Sequence, residues 1–367
     1  MAALAVLAAV TACTATGGDP VAVRAPAPTT GSSAARPAPT PPPRSFTLAA
    51  GGDILIHPAL TDQARADGGG TPDFRPLLEG MREAVAADLS ICHLETPLSA
   101  PGAPTFGYPA FSAPPEIAAA LVDLGYDSCS TASNHTLDRD VPGVRTTLDV
   151  LDSVGLKHTG SARSPEEAAT PLILDANGVK VAQVSFTYGY NGIPLPEPWI
   201  ANTLDPRRVV DAARAAKAAG AEVVVASLHW GAEYEADPTP EQRAAATTIL
   251  ADPAVDLIIG THVHTVQPIE RIGEKWVVYG MGNEVAKHEE PRGTTEEGLI
   301  ARFRFVEGPQ GWRVDEARYR PTLVELGPPI RVVDLSSAPP SPRRAEALAR
   351  TDEVVGRLGA AAAGLGR

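Results

Sequence analysis

The chain has 367 residues, 44% of them hydrophobic, with 31 Lys and Arg against 44 Asp and Glu, a formal net charge of −13. That length suits one large domain or two and is short for three. The acidic balance speaks against a nucleic-acid backbone as ligand, and it would repel a polyanionic polymer wherever no metal ion or local basic patch intervened.

The first ten residues form a short apolar run, MAALAVLAAV, followed by Thr11-Ala12-Cys13. Small residues ahead of a cysteine are what a signal peptidase pocket takes, so Val10-Thr11-Ala12-Cys13 resembles a lipobox. Residues 1–12 are then expected to be a signal peptide, and Cys13 to carry a lipid that anchors an exported protein to the cell membrane, facing outward. The run is too short to span a bilayer, and no Lys or Arg precedes it. A cleaved signal followed by an incidental cysteine is the alternative. Residues 13–45 are dominated by Pro, Ala, Ser, Thr and Gly without apolar period, which predicts a disordered tether.

From Phe46 onward, strand-like runs alternate with helical patterns. Strands are predicted at 46–53, 87–95, 126–134, 156–160, 180–188, 222–230, 256–262 and 276–283, and helices at 76–87, 114–125, 141–155, 205–220 and 239–252. Gly125, Gly155 and Gly220 stand where helices stop. Such alternation predicts an α/β fold with a mainly parallel sheet covered on both faces. Residues 298–308 and 311–326 read as an antiparallel pair joined at Gly308-Pro309-Gln310-Gly311. One domain is expected over 46–335, with a Pro-rich turn and an Ala-rich helix over 336–367. Cys92 and Cys129 lie in apolar runs and read as buried thiols, although an exported protein also allows a disulfide.

Polar, metal-competent residues recur where apolar strands stop. Asp53 follows FTLAAGG, Glu95 follows DLSICHL, Asn134 and His135 follow YDSCSTAS, His229 follows EVVVASL, His262 and His264 follow DLIIGT, and Asn283 follows WVVYGMG. Carboxyl ends of parallel strands share one edge, where α/β sites assemble. Carboxylate oxygens mixed with imidazoles suit Mn, Fe or Zn better than Ca, as one ion or two. The alternation His262-Val263-His264 would put both rings on one side of an extended segment. His135 could protonate a leaving oxygen or serve as a structural hydrogen-bonder, and Asp138 could orient it. His57 and His93 read as packing residues, and His158 and His288 lie outside these segments.

Six local patterns, in order, resemble the CapA family: Gly52-Asp53, Leu94-Glu95-Thr96-Pro97-Leu98, Ala132-Ser133-Asn134-His135-Thr136-Leu137-Asp138, His229-Trp230-Gly231-Ala232-Glu233-Tyr234, Gly260-Thr261-His262-Val263-His264-Thr265-Val266-Gln267 and Tyr279-Gly280-Met281-Gly282-Asn283. The resemblance implies metallophosphoesterase-like layered sheets with flanking helices and a metal site at the carboxyl ends of strands. It implies Asp53, Glu95, Asn134, His229, His262 and His264 as metal ligands and His135 as catalytic acid. It also implies a role in making or exporting capsular poly-γ-glutamate, with a cell-surface polymer or its precursor and membrane polymer-synthesis proteins as partners. The sequence departs from pattern in four places. Asp53-Ile54-Leu55 lacks the Asp-x-His of ordinary metallophosphoesterases, Glu95 in Leu-Glu-Thr-Pro replaces an Asp in Gly-Asp-x-x-Asp, His93 stands where Asn is commoner, and Glu284 stands where Phe is usual. The first departure leaves a second expectation open, a non-catalytic binding or scaffolding subunit of a polymer-synthesis complex.

Overall fold

The computed structural model describes residues 8–14, 17–18, 21–23, 25 and 43–367. The expected signal peptide and tether therefore lie largely outside the described residues. The chain divides into Met1–Pro42 and Pro43–Arg367, and every element named below belongs to the second unit.

Among the described residues fifteen strands occur in chain order: β1 (Ser45–Ile54), β2 (Leu89–Leu94), β3 (Ser128–Ser130), β4 (Lys157–Thr159), β5 (Leu172–Ala176), β6 (Val179–Thr187), β7 (Val223–His229), β8 (Leu257–Thr261), β9 (Ile269–Ile272), β10 (Lys275–Val278), β11 (Asn283–Val285), β12 (Glu297–Gly308), β13 (Gly311–Glu325), β14 (Arg331–Asp334) and β15 (Leu365–Gly366). The helices are α1 (Pro58–Asp67), α2 (Arg75–Leu78), α3 (Arg82–Val85), α4 (Glu116–Leu124), α5 (Asp140–Ser153), α6 (Pro165–Ala169), α7 (Pro206–Ala218), α8 (Pro240–Leu250) and α9 (Pro342–Gly356). Among the described residues no helix is long and apolar enough to cross a membrane.

The α/β class holds, and the two layered sheets with flanking helices implied by the family resemblance are present, rather than the single covered sheet that strand–helix alternation alone suggested. A nine-stranded sheet runs β14-β13-β12-β1-β2-β3-β4, with β11 and β15 paired off that path, and a six-stranded sheet runs β5-β6-β7-β8-β10-β9. Parallel pairing links β1 to β4 and β6 to β8, and antiparallel pairing links β1, β12, β13 and β14. Alternation along each strand builds the layers. Leu48, Ala50 and Ile91 of the first sheet join Val181, Val225 and Ile259 of the second in one buried cluster between the sheets. Ala49 and Cys92 point the other way, into a cluster with Ile117, Leu121 and Leu148 of α4 and α5. Val184 and Ala226 likewise turn toward Val209 and Ala213 of α7 and Ile249 of α8. Each sheet thus has one face on the other sheet and one face under helices.

Four local expectations need correction. The stretch 76–87 is two short helices, because Gly80 interrupts it and bridges to Val333, with the Val332 carbonyl lying where a Cβ would be. The run 276–283 is not one strand either. It leaves the second sheet after Val278, and β11 joins the first, with Asn283 the parallel partner of Asp53. The final helix stops at Gly356, and β15 pairs with β13. Cys92 and Cys129, register partners on β2 and β3, form a disulfide and are not free thiols. Sequence reasoning also missed β5, although Asn177-Gly178, both at positive φ, is the hairpin turn that joins it to β6. The β12–β13 hairpin closes at Gly308 and Gly311 as expected.

Candidate metal centre

Both sheets deliver side chains to one buried volume. Asp53 lies in the last turn of pairing of β1, His93 in β2, Glu95 just past it, and Asn134 beyond β3, all from the first sheet. The second sheet supplies His229 at the end of β7 and His262 and His264 just beyond β8. All seven are buried. Six of them form two trios able to hold a cation, Asp53 with His93 and His229, and Glu95 with His262 and His264; within each, one ligand atom per residue lies within 4.8 Å of the others.

The backbone is shaped to make this possible. Gly51 and Gly52 have no room for a Cβ, because Glu284 and the Tyr126 hydroxyl crowd the first and the Gly282 carbonyl crowds the second. Asp53 can therefore sit tight against β11. His262 and His264 are not on an extended segment as expected. Both have positive φ, 95° and 58°, an uncommon region for a non-glycine residue. The Asp53 carboxylate accepts the His262 backbone N–H, at 3.0 Å to Oδ1 and 3.2 Å to Oδ2, which holds that turn to the other sheet. Such stored strain is typical of functional sites.

Several polar atoms here lack any hydrogen-bond partner among the described residues. They are both carboxylate oxygens of Glu95, Nε2 of His93 and Nδ1 of His262. Leaving a buried polar group unpaired costs roughly 1–3 kcal/mol each, and a divalent cation is the group that would satisfy carboxylate and imidazole lone pairs together. The residues present therefore fit a metal. Asn134 Oδ1 stands 2.8 Å from His229 Nε2, and its Nδ2 donates to Asn191 Oδ1 at 3.1 Å, so the amide oxygen faces the cluster. Asn283 Oδ1 lies 3.0 Å from His264 Nδ1.

The electrostatics of the cluster without a cation are mixed. Burial pushes the Glu95 carboxyl well above its ordinary value. Burial also opposes the charge of Asp53, yet the His264 hydrogen bond and charge hold its carboxyl below normal. For His264, burial is outweighed by the carboxylates of Glu95 and Asp53, which raise the imidazole to about 10. Burial lowers His93 to about 4 and His262 to about 3, and drives His229 well down. These three imidazoles are held in the neutral form that binds metal, whereas His264, protonated beside two carboxylates without a cation, would give up its proton on binding one.

His135 lies beside this cluster with its ring edge-on to Phe111, 4.8 Å between centroids. Its Nδ1 is 2.7 Å from Asp138 Oδ2, which also accepts the Phe111 backbone N–H at 2.7 Å. The geometry fixes the ring and leaves Nε2 free for a proton.

The structure brings together every residue singled out for metal or acid chemistry. It also adds three that the sequence reading set aside or missed. His93 is in a trio rather than a packing position. His288 closes the cluster's rim, 5.2 Å between its ring centroid and that of His264, so only His158 among the eight histidines stands apart. Asn191, at φ 50°, joins Asn134 and lies 3.5 Å from His135 Nδ1. His57, as expected, packs at the rim, against Phe111 and His288.

The family model described as "Bacterial capsule synthesis protein PGA_cap" matches residues 47–288. The chain is similar to the capsule biosynthesis protein CapA of Bacillus anthracis, 27% identical over 177 residues that cover 47% of this chain and 43% of that protein. It is similar to the PGA biosynthesis protein CapA of Bacillus subtilis at 30% identity over 167 residues, covering 44% and 43%. The matched stretch thus spans less than half the length of these relatives. Among solved structures, a phosphatase from Mycoplasma pneumoniae superposes at a TM-score of 0.47 with 14% identity, over 83% of this chain and 97% of that one.

Proposed function

The chain belongs to the family of bacterial capsule synthesis proteins described as PGA_cap, and from that premise we propose that it is a metal-dependent hydrolase of phosphoesterase-like chemistry serving capsule or poly-γ-glutamate biosynthesis or export. Its partners are a cell-surface polymer or its precursor and the membrane proteins that make it. It sits on the outer face of the cell membrane, held by a lipid on Cys13. The Cys92–Cys129 disulfide supports export, because such bonds persist in oxidising compartments.

One observation carries the hydrolase reading: buried carboxylates and imidazoles from two sheets converge with unpartnered lone pairs. Asp53, His93 and His229 would hold one ion, and Glu95, His262 and His264 another or the same one, with Asn134 Oδ1 at hand. A divalent ion in such a site polarises a phosphoryl or carbonyl oxygen and acidifies water. The chain's own contribution is to orient and to move a proton. Asp138 accepts from His135 Nδ1 and presents Nε2 to a leaving oxygen, and Asn191 fixes the Asn134 amide. The purified protein should turn over phosphomonoester or phosphodiester substrates with Mn, stop with chelator and recover on adding Mn. Absence of turnover with the metal bound would overturn the reading. Membrane fractionation tests the anchor: Cys13→Ala should move the protein to the soluble fraction.

A non-catalytic scaffold is the second reading. It is favoured by the missing Asp-x-His, since His57 lies at the rim with Nδ1 3.1 Å from the Leu55 carbonyl and in neither trio. If His135→Ala and His264→Ala leave polymer output intact while deletion abolishes it, scaffolding is the role.

A further inference from the structure

A cleft of about 660 Å³ opens beside the metal centre, lined by His57, Tyr108, Tyr234, Lys287, His288 and Arg292. It is continuous with the cluster through shared rings. His288 packs at 5.2 Å on His264 and 4.9 Å on His57, and Tyr234 lies 6.0 Å from His264. The Arg292 guanidinium stacks on Tyr234, 4.1 Å from the ring centroid. Stacking positions the guanidinium while leaving its N–H donors unused. The loop that carries it is pinned: the Gly293 N–H donates to Glu296 at 2.7 Å, and the Gly293 carbonyl accepts from Arg343 at 2.5 Å.

Charge pairing differs between these cations and the neighbouring arginines that pin the loop. Arg343 and Arg350 are both matched to Glu297, at 2.6 and 2.9 Å. Among the described residues, Lys287 and Arg292 have no carboxylate within ion-pair distance. Glu289 and Glu290 line the same cleft and balance its formal charge; both are exposed, as is Arg292, whereas Lys287 is half-buried. Across the cleft, Tyr108 leaves 74% of its surface to solvent, an unusual exposure for an aromatic side chain. An aromatic-walled cleft that offers two cations free of ion pairs, on a chain of net charge −13, gives an anionic substrate a place to bind.

We propose that this cleft is an anion subsite of the metal centre, in which Lys287 and Arg292 hold an oxyanion of the substrate and Tyr108 packs on the adjoining chain. The shared chemistry is carboxylate or phosphate. Assigning it to the free α-carboxylate of a γ-linked glutamyl unit rests on the function proposed above; the anion subsite itself does not.

The test is calorimetric titration of the metal-loaded protein with three probes: a tri-γ-glutamate, inorganic phosphate, and a γ-linked trimer whose carboxylates are all amidated. Wild type, Lys287→Ala, Arg292→Ala and the double variant are compared at equal metal content. Each single variant should weaken the anionic probes by about tenfold, the size of one charge-assisted hydrogen bond. Arg292→Lys should recover part of that loss, and the amidated trimer should bind every variant alike. Loss confined to phosphate supports the subsite and removes the γ-glutamyl assignment. Equal anion binding by wild type and double variant, or no anion binding by wild type, overturns the subsite.

Discussion

The Asp53 carboxylate on the first sheet accepts the backbone N–H of His262 on the second, with both oxygens within 3.2 Å. One side chain therefore ties the two sheets together at the point where the candidate ligands meet. Its second duty is to His264, whose Nδ1 lies 3.3 Å from Oδ2.

Asp53→Ala should therefore cost stability even without metal. It leaves the buried His262 N–H unpaired, a loss of roughly 1–3 kcal/mol. Thermal unfolding in excess chelator reads this term alone. An unchanged melting temperature would show that the turn at His262 is held by other contacts.

His135→Ala should reduce turnover by roughly 100- to 10,000-fold, the range for loss of a positioned general acid. Metal content should not change, because His135 is in neither trio. Asp138→Asn should give a smaller loss, since Asp138 acts through the ring it orients. Parallel loss of metal and activity in His135→Ala would move this residue from proton transfer to ligation.

Asn191→Ala should lower kcat more than it raises KM. Its amide oxygen holds Asn134 Nδ2 at 3.1 Å, so its removal frees the Asn134 side chain to turn its oxygen away from His229. Asn191→Asp, which keeps that acceptor, should recover most of the activity. Equal loss in both variants would contradict a positioning role.

Glu284 gives a pH dependence with a definite sign. Burial raises its carboxyl to about 8, and the Tyr126 hydroxyl donates to Oε2 at 2.7 Å. The folded-state value is above the unfolded one, so its contribution is fully present below about pH 4.5 and is lost as pH rises through about 8. The loss has an upper bound of about 5 kcal/mol. Glu284→Gln should remove it. Denaturant unfolding at pH 5 and pH 9 should show the variant gaining on wild type at the higher pH. A constant difference would place this carboxyl in contact with water.

Much of this was legible before any coordinates. A polar residue that ends an apolar run marks a strand terminus, and that is why Asp53, Glu95, Asn134, His229 and His262 could be picked out. His93 could not be assigned a face, because every residue of β2 is buried and its hydrophobicity does not alternate. Asn191 lies in a loop without periodicity, and only its positive φ singles it out. His288 reaches the rim because the chain crosses from β10 in one sheet to β11 in the other. The unbroken apolar run through Tyr279 and Met281 concealed that crossing. The pairing of Cys92 with Cys129 required knowing that β2 and β3 are neighbours in register.

Elemental analysis of the purified chain tests the central claim most directly, made on wild type and on Glu95→Gln and His264→Ala. Wild type should carry one or two ions of Mn, Fe or Zn per chain, and each variant should lose bound ion. A wild type that takes up no ion after incubation with Mn, Fe and Zn, or variants that keep the full load, would contradict it.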